Sequence, residues 1–366
     1  MTGQSPHNSS GLPRHRHARH RAALAAMLTF VAAGSLLLTV GLGNHGGAWA
    51  TAPALPLGDA DLVETRATEP LAPGVDLTYI VRGGQPAKAK EIATTTRGPW
   101  TLSVLTIDPA RARGHLAATY GPNLSKVETT TALVRFSGAL AGVNASYFTI
   151  GNHKYPGDPA GLGLYRGVLL SDPADAAHEV DLVLDAKTNK VRIGRLTWKG
   201  KLKNRTTKAT LTLEYLNHPP KVPKKCAKLK DPTDCRKSGG RGVEVVLDRS
   251  GCVVRSSKTK RGTVLVAGQS SIQATGQQSK KLLRITKKGC LSASIRLYAH
   301  QKRVALTSST YGVAGRYQLT KAGRITAPTK TGDYYERHPR TVVGRTATGV
   351  IMLVTIDGGR PTYVDR

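Results

Sequence analysis

Gly98-Pro99-Trp100-Thr101-Leu102-Ser103-Val104-Leu105-Thr106-Ile107-Asp108-Pro109 is the stretch that decides the fold class. Trp, Leu, Val and Ile interleave with Thr and Ser at a period near two, and Gly-Pro and Asp-Pro close the run at its ends. That pattern is a half-buried strand, because a helix would repeat its apolar positions every three or four residues. Outward from it the same grammar recurs. Leu77–Val81, Leu162–Leu170, Val180–Leu184, Val191–Trp198 and Ala209–Leu216 are expected strands, as are Val243–Leu247, Thr263–Ala267, Ser292–Tyr298 and Gly349–Ile356. One segment differs. Lys126, Val127, Thr130, Leu133, Val134 and Ser137 suit a helix near 126–135, with Ser125 as its cap and Glu128 three residues on. It leads into Ala139–Phe148, an apolar run expected as a strand that ends at Asn144. The class is α+β and strand-dominant, with mixed twisted sheets and few helices.

The chain has 366 residues, 54 Lys+Arg against 23 Asp+Glu, and 39% apolar residues. It can bury a substantial core, and it carries no collagen period, heptad or long low-complexity tract. Residues 1–50 hold Arg14, Arg16, Arg19 and Arg21 and no acidic residue, then the apolar run Ala22–Gly43, then Ala48-Trp49-Ala50. Those are the parts of a secretory signal cut near Ala50, or of an N-terminal anchor if uncut. Residues 51–73, rich in Ala, Pro and Thr, are expected as a linker, and 74–366 as the folded domain. Export implies an oxidising compartment, so Cys226, Cys235, Cys252 and Cys290 are expected in disulfides. Their intervening lengths of 8, 16 and 37 residues do not fit zinc knuckles. Of the three possible connectivities, Cys226–Cys235 with Cys252–Cys290 is favoured.

The net charge is +31, and loss of residues 1–50 removes four arginines and no carboxylate, so the basicity belongs to the folded part. Lys199, Lys201, Lys203, Arg205 and Lys208 are followed by Lys221, Lys224, Lys225, Lys228 and Lys230. Arg255, Lys258, Lys260 and Arg261 come later, then Lys280, Lys281, Arg284, Lys287 and Lys288. Residues 217–241 are expected as a basic, cysteine-bearing insertion. Such charge is either a solvated surface or a means of capturing a polyanion. Nucleic acid is the disfavoured polyanion, since aromatics make up only 5% of the chain and no stacking or recognition motif appears.

Three clusters can carry chemistry. Gly142-Val143-Asn144-Ala145-Ser146-Tyr147-Phe148 leads into a Gly-rich loop with His153, Asp158 and Gly161. There an Asn side chain can hydrogen-bond a sugar hydroxyl or phosphate, while glycines let backbone N–H groups approach an anion. Arg337-His338-Pro339-Arg340-Thr341 offers a guanidinium fork, and Val354-Thr355-Ile356-Asp357-Gly358-Gly359-Arg360 ends an apolar strand on a carboxylate. Each alone is equally a turn with capping residues.

Together, "GVNASYF…GDPAGL…RHPRTVVG…LVTIDGGRP" resembles the phosphodiester glycosidase family, from about residue 75 to the end. The resemblance implies a secreted or envelope-associated hydrolase that removes an N-acetylglucosamine-like sugar from a phosphodiester. It implies Asn144, Arg340 and Asp357 as catalytic residues and Arg360, Thr341, Phe148 and Gly161 as substrate-binding ones. His153 and His338 flank the motifs as further binding candidates. The family continues to an Asp-Gly-Gly-Gly-Ser motif that this sequence lacks, so the alternative expectation is a catalytically silent domain binding anionic wall polymers. The partner implied is an anionic carbohydrate or sugar-phosphate polymer. A membrane is implied only if residues 1–50 stay attached. No cofactor is implied and no metal is identified. Asp158 is the one other carboxylate in the motifs.

Overall fold

The computed structural model describes residues 53–84, 95–124, 126–148, 159–174, 179–216, 243–258, 265–266, 268–274, 276–329 and 335–358. The expected signal or anchor, the insertion 217–241, His153, Asp158, Arg360, Cys226 and Cys235 lie outside them. In chain order the strands begin with β1 (Glu64–Ala72), β2 (Val75–Arg82) and β3 (Trp100–Ile107), then helix α1 (Thr130–Ser137). Next come β4 (Gly163–Tyr165), β5 (Val168–Ser171), β6 (Asp181–Asp185), β7 (Lys190–Gly194), β8 (Leu196–Asn204), β9 (Thr210–Thr212) and β10 (Tyr215–Leu216). β11 (Val243–Leu247), β12 (Val253–Ser257) and β13 (Ser270–Ala274) precede helix α2 (Gly276–Ile285). The chain closes with β14 (Leu291–Ala299), β15 (Lys302–Val304), β16 (Thr310–Ala314), β17 (Thr320–Lys321), β18 (Arg324–Ile325), β19 (Arg340–Arg345) and β20 (Ile351–Ile356).

Four larger sheets result, ordered β1-β2-β3-β20-β19, β5-β4-β16-β6-β7, β15-β14-β8-β9 and β10-β13-β11-β12, beside the small β17-β18 hairpin. The class is the strand-dominant α+β expected, but the expected mixed sheets are not found: every ladder between these strands is antiparallel, as short hairpin connections favour. The main core lies where sheets β5–β7, β9–β15 and β10–β12 and helix α2 bury Leu162, Leu202, Val245, Leu282, Leu291 and Leu297. Each such side chain contributes about 1.5–3 kcal/mol of burial. α2 supplies Leu282 and Ile285 from one face while Lys280, Lys281 and Arg284 point to solvent.

Several sequence expectations are corrected. The helix starts at Thr130, not 126, because Thr129 is the cap: its Oγ1 accepts the Ala132 N–H at 3.2 Å. Gly138, at φ 62°, ends it in the left-handed region that glycine tolerates. Ala139–Phe148 is not a strand, so Asn144 stands on a loop; the segment is largely exposed despite its apolar composition. Part of the expected linker, Glu64–Ala72, is β1, paired with β2 over its length. Leu162–Leu170 is a hairpin that turns at Arg166-Gly167, and Val191–Trp198 and Ala209–Leu216 each break into two strands. Leu265 and Val266 are not in a strand. The favoured Cys252–Cys290 disulfide is present and ties the start of β12 to the start of β14. No helix among the described residues is long and apolar enough to cross a membrane.

Candidate active site

The β19–β20 hairpin sets the site. Arg340 pairs with Ile356 and Thr341 with Thr355, which brings Asp357 beside Pro339, one step beyond the ladder. On its other side β20 pairs with β3, and the ladder runs on through the Asp357 N–H, which donates to Thr101 O at 3.0 Å. A Cβ on Gly358 would stand 2.8 Å from Pro339 Cδ and 3.0 Å from Pro339 N. Glycine at this position therefore lets the 337–340 and 357–358 segments close on each other.

Arg337, close enough to Asp357 to feel its charge, is 8% exposed, and its guanidinium lies 3.9 Å from the centroid of the Trp100 ring. It donates to Gly98 O at 3.4 Å and to Pro99 O. Burial lowers the Arg337 pKa, and the Asp357 carboxylate works in the opposite direction. Arg340 is half-buried and donates to the carbonyls of Pro339 at 3.1 Å and Glu336 at 3.2 Å. Its guanidinium thus lies against its own chain, at the same strand end as Asp357.

The loop carrying Asn144 is joined here by side chains. The Thr341 hydroxyl donates to Asn144 Oδ1 at 2.5 Å. Two residues on, Ser146 at φ 61° accepts the Ala314 N–H on its Oγ at 3.1 Å, anchoring the loop to the end of β16. Phe148 forms an isolated bridge with Pro159, and the Ala160 N–H donates to Tyr147 O at 2.7 Å. Gly161, at φ 121°, leaves only 2.9 Å between a would-be Cβ and Ala314 Cβ, so it packs against the same strand end. Arg316 lies 5.9 Å above the Tyr147 ring and 5.5 Å above Tyr317, whose hydroxyl meets that of Tyr335 at 2.7 Å.

The chain of contacts runs from Asn144 through Tyr147, Phe148 and Gly161 to Ala314–Tyr317, then to Tyr335–Thr341 and Asp357. Asn144, Thr341, Arg340, Asp357, Phe148, Gly161 and His338 thus all fall on connected segments, although they span more than two hundred residues of sequence. The polar groups on them, a carboxylate, two guanidiniums, an amide and a hydroxyl, suit recognition of a phosphate flanked by hydroxyls. Trp100, Ser146, Arg316, Tyr317, Tyr335 and Arg337 were not among the expected site residues. Arg337 stood in a quoted motif, and its signal was a second arginine one turn of chain before Arg340. Trp100 gave none, because its role depends on the pairing of β3 with β20. Asp172, buried just past β5, is a further carboxylate beside this end: Ser171 Oγ donates to Pro159 O at 3.3 Å, and Ala174 packs toward Gly161.

Fold and site together describe a strand-dominant α+β protein whose loops gather polar and aromatic side chains at the ends of β3, β16, β19 and β20. Residues 241–365 match the family model described as phosphodiester glycosidase. That span holds Arg337, Arg340, Thr341 and Asp357, while Trp100, Asn144, Phe148 and Gly161 precede it. Among solved structures the chain is similar to a putative exported protein from Burkholderia pseudomallei K96243. The TM-score is 0.65 at 21% identity, over 85% of this chain and 87% of that one. It is also similar to a hypothetical protein from Synechocystis, with a TM-score of 0.50 at 15% identity, over 76% of this chain and half of that one. These likenesses are of fold. No curated protein matches the chain.

Proposed function

We propose that the chain is an exported hydrolase that releases a sugar from a sugar-1-phosphodiester, the sugar being N-acetylglucosamine or a close analogue. The observation that carries this reading is the Thr341–Asn144 hydrogen bond, which ties the Asn loop to the strand end bearing Arg340 and Asp357. The family match over residues 241–365 supports it. The Cys252–Cys290 disulfide supports an oxidising location, as does the fold likeness to a protein described as a putative exported one.

In this reading the phosphate is a good leaving group, so protonating it contributes less than in ordinary glycosides. The demands are to hold the phosphodiester and to stabilise the oxocarbenium-like centre or activate water. Arg340, with Arg360 from the following segment, holds the phosphate; Asn144, positioned by Thr341, orients the sugar. Asp357 is the stabilising carboxylate or base, with the Arg337 guanidinium, stacked on Trp100, as a neighbouring positive charge. A chain of such units in a phosphodiester-linked envelope polymer is the natural substrate class for so basic a protein.

The test is release of free N-acetylglucosamine from a simple N-acetylglucosamine-1-phosphodiester. The wild-type chain is expected to release it, and Asp357→Ala to lose about 10²-fold or more in rate. Equal rates in the two proteins would sink the assignment.

A further inference from the structure

The outward face of the β15-β14-β8-β9 sheet is built almost wholly from cations and hydroxyls. Lys199, Lys201 and Lys203 alternate along β8 with buried Gly200 and Leu202, all three exposed. Across the ladders, Lys199 faces exposed Arg296, Lys201 faces Ser294 and Thr212, and Lys203 faces Ser292 and Thr210. An open groove of about 380 Å³ lies there, lined by Lys201, Lys203, Lys208, Thr210, Ser292, Ala293 and Ser294. None of the four strands contains an acidic residue; Glu214, just past β9, is the one carboxylate in 196–216, and 286–304 has none.

This arrangement is costly for the fold. Successive lysines on one strand face stand about 6.7 Å apart, and like charges directly opposite, as at Lys199 and Arg296, destabilise a ladder. Lysines on edge strands are a common guard against edge-to-edge pairing. That explanation fails here, because β8 and β14 are the two interior strands of the sheet. The compensation visible within the sheet is small: Lys199 Nζ lies 5.7 Å from the Tyr298 ring. A row of cations kept on interior strands, with hydroxyls on either side, is what a linear polyanion carrying its own hydroxyls would require.

We propose that this face binds an extended polymer of polyol or sugar units joined by phosphodiesters, laid along β8. The choice of polymer rests on the sugar-phosphodiester reading of the candidate active site; the binding face itself does not. The lysines meet successive phosphates, and the Ser and Thr hydroxyls bond phosphate oxygens and polyol hydroxyls. Nucleic acid fits less well. Single strands are held by stacking on exposed aromatics, and Tyr298, the one aromatic on these ladders' outward face, is half-buried beneath Lys199. The sheet would hold polymer near the candidate active site by simple co-attachment to one chain, raising the local substrate concentration.

The experiment compares the full chain with Lys199→Thr/Lys201→Thr/Lys203→Thr. A control of equal charge change is Lys187→Thr/Lys190→Thr/Lys321→Thr, whose exposed lysines lie in the β6–β7 turn, on β7 and on β17. Binding of a defined glycerol phosphate oligomer, and of a single-stranded oligodeoxynucleotide with as many phosphates, is measured across a salt series. The β8 variant is expected to bind the oligomer about tenfold more weakly, from three lost exposed ion pairs. Its log–log salt slope is expected to shrink by up to about 2. The control is expected to stay within about twofold of wild type. Thermal unfolding of the β8 variant should match or exceed wild type, since repulsion is relieved. Unchanged binding in the β8 variant, equal loss in the control, no binding by wild type, or tighter binding of the oligodeoxynucleotide would each overturn the proposal. Failure of wild type to hydrolyse the small diester would remove the active-site reading alone and leave the binding result standing.

Discussion

Substituting Gly358 by alanine tests whether the close approach of two strand ends makes the site. The added Cβ meets Pro339 Cδ at 2.8 Å, Pro339 N at 3.0 Å and the His338 carbonyl carbon at 3.2 Å. Two of these are backbone atoms and the third belongs to a proline ring, so no flexible side chain can swing aside. Overpacking of that kind costs about 1–3 kcal/mol. At about 2–4 °C per kcal/mol, the melting temperature should fall by roughly 2–12 °C. The separation it forces moves Asp357 away from Arg340, and a misplacement near 1 Å costs about 10²-fold in rate. Gly344→Ala is the matched control in the same hairpin: its Cβ would find only Met352 Cε at 3.6 Å, an ordinary contact. Reduced freedom of the unfolded chain should make that variant neutral or more stable by about 0.4–1 kcal/mol. Melting by circular dichroism and hydrolysis of the small phosphodiester read both effects. If Gly358→Ala melts and turns over like wild type, or Gly344→Ala is equally impaired, the strand-end contact does not organise the site.

Other expectations follow from particular contacts. Thr341→Val keeps the shape but removes the hydroxyl donated to Asn144; a net loss of about 0.5–1.5 kcal/mol should slow hydrolysis about two- to tenfold with little change in melting, and an unaltered rate would remove Asn144 from the site. Cys252→Ser/Cys290→Ser releases a closure of 38 residues, worth about 3.9 kcal/mol in the chain-entropy treatment, and should lower the urea midpoint accordingly; an unchanged midpoint would mean that β12 and β14 are held without it. Burial works against the Glu64 charge, but the Leu55 N–H and Arg66 outweigh it and hold its carboxyl below the usual range. Its contribution is therefore complete above the unfolded pKa of about 4.3 and is lost as pH falls through the lower folded value. The melting difference between wild type and Glu64→Gln should be full at neutral pH and vanish in stronger acid; a constant difference would contradict the linkage.

What could be read from the sequence was whatever local pattern decides. Trp100–Ile107 and Val243–Leu247 are strands with the bounds their alternation marks. Elements governed by the partner were hidden. β1 is exposed along most of its length at a sheet edge, so no apolar alternation announced it. α2 reads as a charge run, because Lys280, Lys281 and Arg284 dominate a helix whose buried face is only Ser279, Leu282 and Ile285. Ala139–Phe148 misled in the other direction: it is apolar, yet its backbone is tied by Ser146 and Phe148 to loops and strand ends instead of to a ladder. The candidate motifs stood out in the sequence for a related reason. Gly, Asp and Arg at strand ends are punctuation in the chain, whereas Trp100 under Arg337 exists only once β3 and β20 have paired.

That pairing also bears on the span that matches the phosphodiester glycosidase model. Residues 241–365 hold the hairpin with Arg340 and Asp357, but every larger sheet joins strands from both sides of residue 241. β20 pairs with β3, β16 with β4 and β6, β14 with β8, and β13 with β10. The part before residue 241 therefore supplies the neighbours that keep the later strands from being open edges. It also supplies Asn144 to Thr341 and Trp100 to Arg337. The matched span lacks the pairings needed to assemble the candidate site by itself, so the candidate chemistry belongs to the complete fold and not to the motif-bearing segment. The β8 lysines belong to that same earlier part of the chain. The candidate site and the proposed polymer-binding face both depend on ladders that join the two sides of residue 241: β8 with β14 under the lysines, and β3 with β20 beside Asp357.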